Sequence, residues 1–291
     1  MVGATKARSK MTVLVTGAGG QLGREIVRQF SIEGHVVALA RADLDVTIRA
    51  DVHQAIKTHQ PDVVVNCAAW SDVDEHEVNP DQAYKINVDA PRFLREACEF
   101  SNSYLVHIST DFVFDGESEE PYIESHPAKP LNVYGETKLI GESEAGPLAA
   151  VVRTSWLQAS DGFNIVERVF QALAQGHEIK LPGDRCSTPS FTEDVGGFIV
   201  LLAREHYSGV VHVANEGVTS LAELGRLVAI EAGYEPDLIC ETVEADYKPP
   251  RLAKRPHFSA LENGVLRTLG YPSVRHHRNV VEEIVSRLKQ V

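Results

Sequence analysis

Tyr134-Gly-Glu-Thr-Lys138 sets a phenol and an ammonium four residues apart, downstream of Ser109-Thr110-Asp111. On a helix this spacing puts both groups on one face, about one turn from each other. A nearby ammonium stabilises phenolate, so Lys138 is expected to lower the Tyr134 pKa from its ordinary value near 10. A phenol tuned in this way can give a proton to a carbonyl oxygen under reduction, while the Thr110 hydroxyl holds the same oxygen. The chemistry is hydride transfer to a ketone, with Tyr134 as the acid. The same spacing also fits an ordinary surface pair, so the reading requires a hydride source elsewhere in the chain.

Val15-Thr-Gly17-Ala-Gly-Gly20-Gln21-Leu22-Gly23 suits that source. It joins a β-branched run to a segment with Leu22, Ile26, Val27 and Phe30 at helical spacing. Leu22 takes the third place of Gly-x-Gly-x-x-Gly, but Gly17-x-x-Gly20-x-x-Gly23 is intact. One glycine makes the tight turn, one admits backbone amides to a pyrophosphate, and one lets the helix pack on the strand. The helix N-terminus then favours the phosphates. After the second strand stands Arg41. An acid there would grip a ribose 2′-hydroxyl and select NAD, whereas an arginine accommodates a 2′-phosphate. Arg41 points to NADPH, with NADH tolerated.

These groups need a scaffold, and the hydrophobic pattern supplies one. Strands are predicted at residues 12–16, 36–40, 62–67, 104–109 and 149–154. Helices are predicted at 21–30, 50–59, 80–100 and 137–145. Continuous apolar strands separated by helices mean a parallel sheet covered on both faces. A helix at 193–205, a strand at 210–214 and a helix at 220–233 follow a looser stretch. The fold class is α/β: a Rossmann-type doubly wound parallel sheet with a smaller C-terminal substrate-binding domain. Residues 1–10 read as a disordered leader and 11–158 as the dinucleotide-binding domain. Residues 159–291 read as mainly substrate-binding, with about 191–214 returning to the first domain.

The net charge of -13 and pI near 5.4 disfavour nucleic acid or an anionic membrane as partner. No apolar run approaches a membrane span. The N-terminal stretch is polar and basic with no apolar core, so it is not a signal peptide. Cys67 and Cys98 read as core thiols, which fits a reducing cytoplasm. The 12 histidines lack ligand spacing, and adjacent His276-His277 are expected to point apart. They are taken as surface residues, and no metal is expected. Glu117, Glu119, Glu120 and Glu124 read as a solvated loop.

Several further marks fall in order with these. They are Asp43-Leu-Asp-Val-Thr47, Asn66-Cys-Ala-Ala-Trp70, Ser109-Thr-Asp-Phe-Val-Phe-Asp-Gly116 and Val152-Arg-Thr-Ser-Trp156. Together with the glycine turn and Tyr134-x-x-x-Lys138, they make the chain resemble the extended short-chain dehydrogenase/reductases. Within these it resembles the dTDP-4-dehydrorhamnose reductase family, from about Thr12 to the C-terminus.

The resemblance implies reduction of a nucleotide-linked 4-keto-6-deoxyhexose with NADPH or NADH, completing dTDP-L-rhamnose. Tyr134 would be the general acid, Lys138 its pKa partner and ribose anchor, and Thr110 the carbonyl clamp. Gly17, Gly20, Gln21, Leu22 and Gly23 would form the cofactor turn. Asp45 and Val46 would sit near the adenine, and Ala68 and Ala69 along the cofactor. Asp111, Phe112 and Trp156 would line the sugar-nucleotide pocket. Asn87 would support the fourth-strand region. Arg255, in a segment resembling the family's substrate domain, suits a diphosphate. A homodimer is compatible with the family.

The chain departs from the family pattern at Leu157–Val166 and Asp184–Ser190, and Phe112 stands where Tyr is usual. Both segments face the substrate in the family, so the sugar is left open. Two rivals remain. A sugar-nucleotide dehydratase or epimerase shares the fold, but elimination needs a Thr-Asp-Glu run and Phe112 replaces the Glu. A cofactor-binding regulator of the methionine adenosyltransferase type would need no catalytic set.

Overall fold

The structure, a computed structural model, describes residues 11–32, 34–70, 72–159 and 164–290. The expected leader at 1–10 and residues 160–163 of the divergent loop lie outside the described residues.

The first half alternates strand and helix. β1 (Thr12–Thr16), α1 (Gln21–Ser31), β2 (His35–Leu39), α2 (Arg49–His59) and β3 (Val63–Asn66) come first. Then follow α3 (Val73–Val78), α4 (Pro80–Tyr84), α5 (Ala90–Ser101), β4 (Tyr104–Thr110), α6 (Val133–Ala145) and β5 (Ala150–Thr154). The second half holds β6 (Leu157–Gln158), α7 (Ile165–Ala174), β7 (Ile179–Pro182), β8 (Cys186–Ser187), β9 (Ser190–Phe191) and α8 (Thr192–Glu205). It continues with β10 (Gly209–His212), β11 (Thr219–Ser220), α9 (Leu221–Ala232), β12 (Ile239–Thr242), α10 (Gly264–Thr268) and α11 (His277–Leu288).

Six strands form one parallel sheet in the order β10-β5-β4-β3-β1-β2. Its apolar strands bury both faces. On one side Val13, Val15, Val65 and Val152 pack on Ile26 and Phe30 of α1 and Ile199 of α8. On the other, Leu14, Val64 and Leu105 meet Val52, Ile56, Leu94 and Ala97 of α2 and α5. A separate core joins α7, α9 and α11 through Val169, Leu224, Val228 and Val281. The sheet order reverses between β1 and β3, and ligands of open α/β sheets bind at the carboxyl ends beside such a switch point.

One predicted element is different. The long helix at 80–100 is broken by a π-helical segment, Lys85–Asp89, between α4 and α5. A π turn closes an i to i+5 hydrogen bond and so takes up one more residue than an α turn. Composition also hid α3, α7 and α11. The helix expected from residue 137 begins at Val133, where the Asn132 side chain caps it by accepting from the Gly135 amide at 2.7 Å. Tyr134 and Lys138 therefore share one helix. Among the described residues, no helix is long and apolar enough to cross a membrane.

Candidate active site

A cleft of about 660 Å³ opens at the switch point. Gly17, Gly19 and Gly20 form one wall, Arg41, Asp45, Val46 and Thr47 a second, and Cys67, Ala68, Ala69 and Trp70 a third. The glycines are required here. Gly17 has φ +63, and a Cβ on it would come within 2.7 Å of the Ala68 amide nitrogen. A Cβ on Gly23 would lie 2.2 Å from the Gly17 carbonyl, so only glycine lets α1 approach the turn. Leu22 differs from its neighbours: it is buried in the core beneath α1, while Gln21 is exposed at the start of that helix. Arg41 is exposed at the rim, and Asp45 binds Thr47 through both amide and hydroxyl. Cys67, expected as a core thiol, instead lines the cleft; Cys98 is buried.

Thr110 ends β4 and Tyr134 stands in the first turn of α6. The Thr110 hydroxyl donates to Asp111 Oδ1 at 3.1 Å and lies beside the Tyr134 phenol. Lys138 Nζ donates to the Ile108 carbonyl at 2.5 Å. The expectation of a lowered phenol is not met. Burial pushes Tyr134 up to about 12; the neighbouring Thr110 hydroxyl works the other way, and the Asp111 carboxylate adds to the rise. Burial lowers Lys138 to about 8 against the attraction of Glu142. Burial, rather than the Lys138 ammonium, sets the direction of the phenol's shift.

Beneath Lys138 lies a buried ion pair. Arg153 grips Glu142 through Nε at 2.8 Å and Nη2 at 2.7 Å, and Ser109 donates to the same carboxylate at 2.5 Å. Asn87, on the π segment, donates to Thr137 Oγ1 at 2.9 Å and contacts His76 Nε2 at 3.2 Å. It thus ties α6 to α3 rather than supporting the fourth strand.

The substrate-side residues fall around a second, more open cleft of about 500 Å³. Phe112, Trp156 and Arg255 line it, joined by Asp72, Arg185 and Arg251. The Phe112 ring edge meets Tyr134 at 5.5 Å between centroids. Asp111 lies beneath this cleft rather than in its wall. It is 2% exposed, takes hydrogen bonds from Ser259 at 2.5 Å and Ser187 at 3.4 Å, and burial raises it to about 6. Arg255 forms a forked pair with Asp74, Nη1 to Oδ1 and Nη2 to Oδ2, both at 3.1 Å. Glu244 lies among the three guanidiniums, 3.4 Å from Arg185, 3.1 Å from Arg251 and 3.9 Å from Arg255. Arg185 and Arg251 were missed in the sequence. Arg185 stands in one of the two divergent segments, which was the available signal.

The histidines are not uniformly superficial. His76, His107, His212 and His277 are buried, and the His276 and His277 rings approach to 4.5 Å instead of pointing apart. Glu124 is not a plain solvated acid either: its carboxylate accepts from the His212 and Val265 amides. Among the described residues, no group of three or more His, Cys, Asp or Glu is placed to hold a metal ion.

The chain has relatives of known sequence and structure. The chain is 36% identical over 279 residues to a probable dTDP-4,6-dihydroxy-2-methyloxan-3-one 4-ketoreductase of Streptomyces antibioticus, covering 94% of each. It is 36% identical to a dTDP-4-dehydrorhamnose reductase of Mycobacterium tuberculosis, covering 92% of this chain and 90% of the relative. Among solved structures, the dTDP-4-dehydrorhamnose reductase of Bacillus anthracis in complex with NADP superposes with a TM-score of 0.89 at 29% identity. That match covers 96% of this chain and 99% of the other. The fold thus has counterparts along nearly the whole chain. Residues 11–290 match the family model described as the RmlD substrate binding domain, and the chain belongs to that family.

Proposed function

We propose that the protein reduces the C4 ketone of a dTDP-linked 4-keto-6-deoxyhexose, with dTDP-4-dehydro-L-rhamnose as substrate and dTDP-L-rhamnose as product. The observation that carries this is the placement of Tyr134, whose ring meets Phe112 of the arginine-lined cleft on one hand and His76, itself against Trp70 of the glycine-walled cleft, on the other. The glycine cleft fits a dinucleotide because its turn excludes a Cβ at Gly17 and Gly23. Gly17, Gly20 and the α1 N-terminus would hold the pyrophosphate, and Arg41, Asp45 and Val46 the adenosine end. Ala68 and Ala69 would flank the middle, and Lys138 would anchor the ribose. NADPH bound there supplies hydride, and NADH serves with the same wall.

Thr110 orients the ketone oxygen and Tyr134 protonates it. A phenol near 12 keeps its proton at neutral pH, yet an alkoxide is the stronger base, so transfer to the developing oxyanion is downhill. The protonated Lys138 sits one turn along the same helix and offsets the charge left on the phenol oxygen. On the other side, Arg185, Arg251 and Arg255 suit the diphosphate, since planar guanidiniums bind phosphate oxygens in pairs. Trp156 and Phe112 offer apolar faces to the sugar.

The relative named as a 4-ketoreductase of another dTDP sugar, at the same 36% identity, favours a second reading in which the sugar differs and the reaction does not. The test is loss of nicotinamide absorbance when the protein is mixed with NADPH and each dTDP-4-keto sugar. Turnover is expected, and Tyr134→Phe should lower kcat by roughly 10²–10⁴-fold. Tight NADPH binding without turnover of any sugar would overturn the reductase and leave a regulator.

A further inference from the structure

His76 has no part in the chemistry above, yet it is fully buried beside the proposed acid. Its ring meets the Tyr134 ring edge-on, 5.1 Å between centroids at 72°. Its centroid also lies 4.6 Å from that of Trp70, which lines the dinucleotide cleft. Both ring nitrogens are engaged. Nδ1 lies 2.6 Å from the Asp72 carbonyl, which only accepts, so Nδ1 carries the hydrogen. Nε2 is then an acceptor for the Asn87 amide at 3.2 Å. The second Asn87 hydrogen goes to Thr137 Oγ1, whose own hydroxyl bonds back to the Val133 and Tyr134 carbonyls. The neutral ring thus joins the start of α3, the π segment and the first turn of α6.

We infer that His76 is a positioning residue that fixes the Tyr134 ring relative to the Trp70 wall of the dinucleotide cleft. It acts by its ring, wedged between the two, and by the Asn87–Thr137 relay that anchors the turn carrying Tyr134. This rests on the reading of Tyr134 as the acid. Rigid support of this kind matters because a misplacement of about 1 Å at a reacting group costs up to 100-fold in rate. The ring stays neutral at neutral pH. Burial lowers its pKa, Lys138 on α6 adds to that, and Asp72 and Glu77 oppose it. A proton on Nε2 would face the Asn87 N–H and break the relay.

The test combines kinetics with carbon NMR of protein labelled at the tyrosine ring, the Tyr134 signal being assigned by its loss in Tyr134→Phe. His76→Ala is expected to move or broaden that signal in the cofactor-free protein. It should also lower kcat ~10- to 100-fold, with the KM for sugar nucleotide held within about twofold. His76→Gln, which can again bond the Asp72 carbonyl and the Asn87 amide, should recover part of the rate. If His76→Ala does not fold, His76→Phe keeps the wedge and drops both hydrogen bonds, and it too should lose about tenfold or more. An unmoved Tyr134 signal, or a kcat within about twofold of wild type in the folded variant, overturns the inference. Full activity of Tyr134→Phe would instead overturn the acid assignment. A dead Tyr134→Phe beside wild-type His76 variants would remove this inference alone.

Discussion

Lys138 sits where burial and charge oppose each other. Desolvation disfavours its ammonium and Glu142 favours it, leaving the pKa near 8. A lysine whose pKa is depressed is charged below that value and loses its charge as pH rises through it. Turnover should therefore fall above pH about 8, read as an alkaline limb in the kcat profile, and Lys138→Ala should be slow with that limb gone. The spacing of Tyr134 and Lys138 was plain in the sequence, and so was their shared helix face. The sign of the phenol shift was not. It depends on how much water reaches the pair, and residues from β4, α3 and the loop after β4 decide that.

Among elements, α6 is the one held from most sides. A Cβ on Gly141 would lie 2.0 Å from the Asn87 carbonyl, so α6 touches the π segment backbone to backbone. Gly141→Ala should destabilise by about 1–3 kcal/mol through forced separation, measured by urea unfolding. On the opposite flank, Glu142 and Arg153 join α6 to β5 with both side chains 6% exposed. Glu142→Gln leaves a buried guanidinium short of its counter-charge and should cost about 3–5 kcal/mol in the same measurement. The alternation of β-branched runs and amphipathic segments placed β1 to β5, α1 and α2 within a residue or two, whereas α6 begins at Val133, ahead of the expected 137. The π segment was hidden, because its apolar residues keep a helical rhythm and only its packing on α6 shows the extra residue. The helices α7 and α11 were hidden by the Gly, Pro and polar clusters around them.

Across the whole molecule, distant parts of the chain complete the site. Asp74 near the sheet holds Arg255, and also accepts from the Leu252 and Ala253 amides at 3.0 and 2.9 Å. Arg251→Met should raise the KM for sugar nucleotide about 10-fold, the scale of one lost charge-assisted hydrogen bond. NADPH affinity should be unchanged, and the two are separated by titrating each ligand in turn. Arg251 suits this test because it is exposed, with Glu244 and the Tyr247 ring as partners, whereas Arg255 also braces the junction with Asp74.

The sequence by itself determined the sheet, the dinucleotide turn and the acid with its lysine, because each is written in residues close together in the chain. Hydrophobic period, glycine spacing and a one-turn offset are local. The tertiary structure alone decided what surrounds Tyr134. His76, Phe112, Asn87 and the three arginines come from separate segments, and only their convergence sets the burial that raises the phenol and the charge that faces the substrate. The phenol–ammonium pair that named the reaction is therefore legible in five residues, while its proton affinity belongs to the folded molecule.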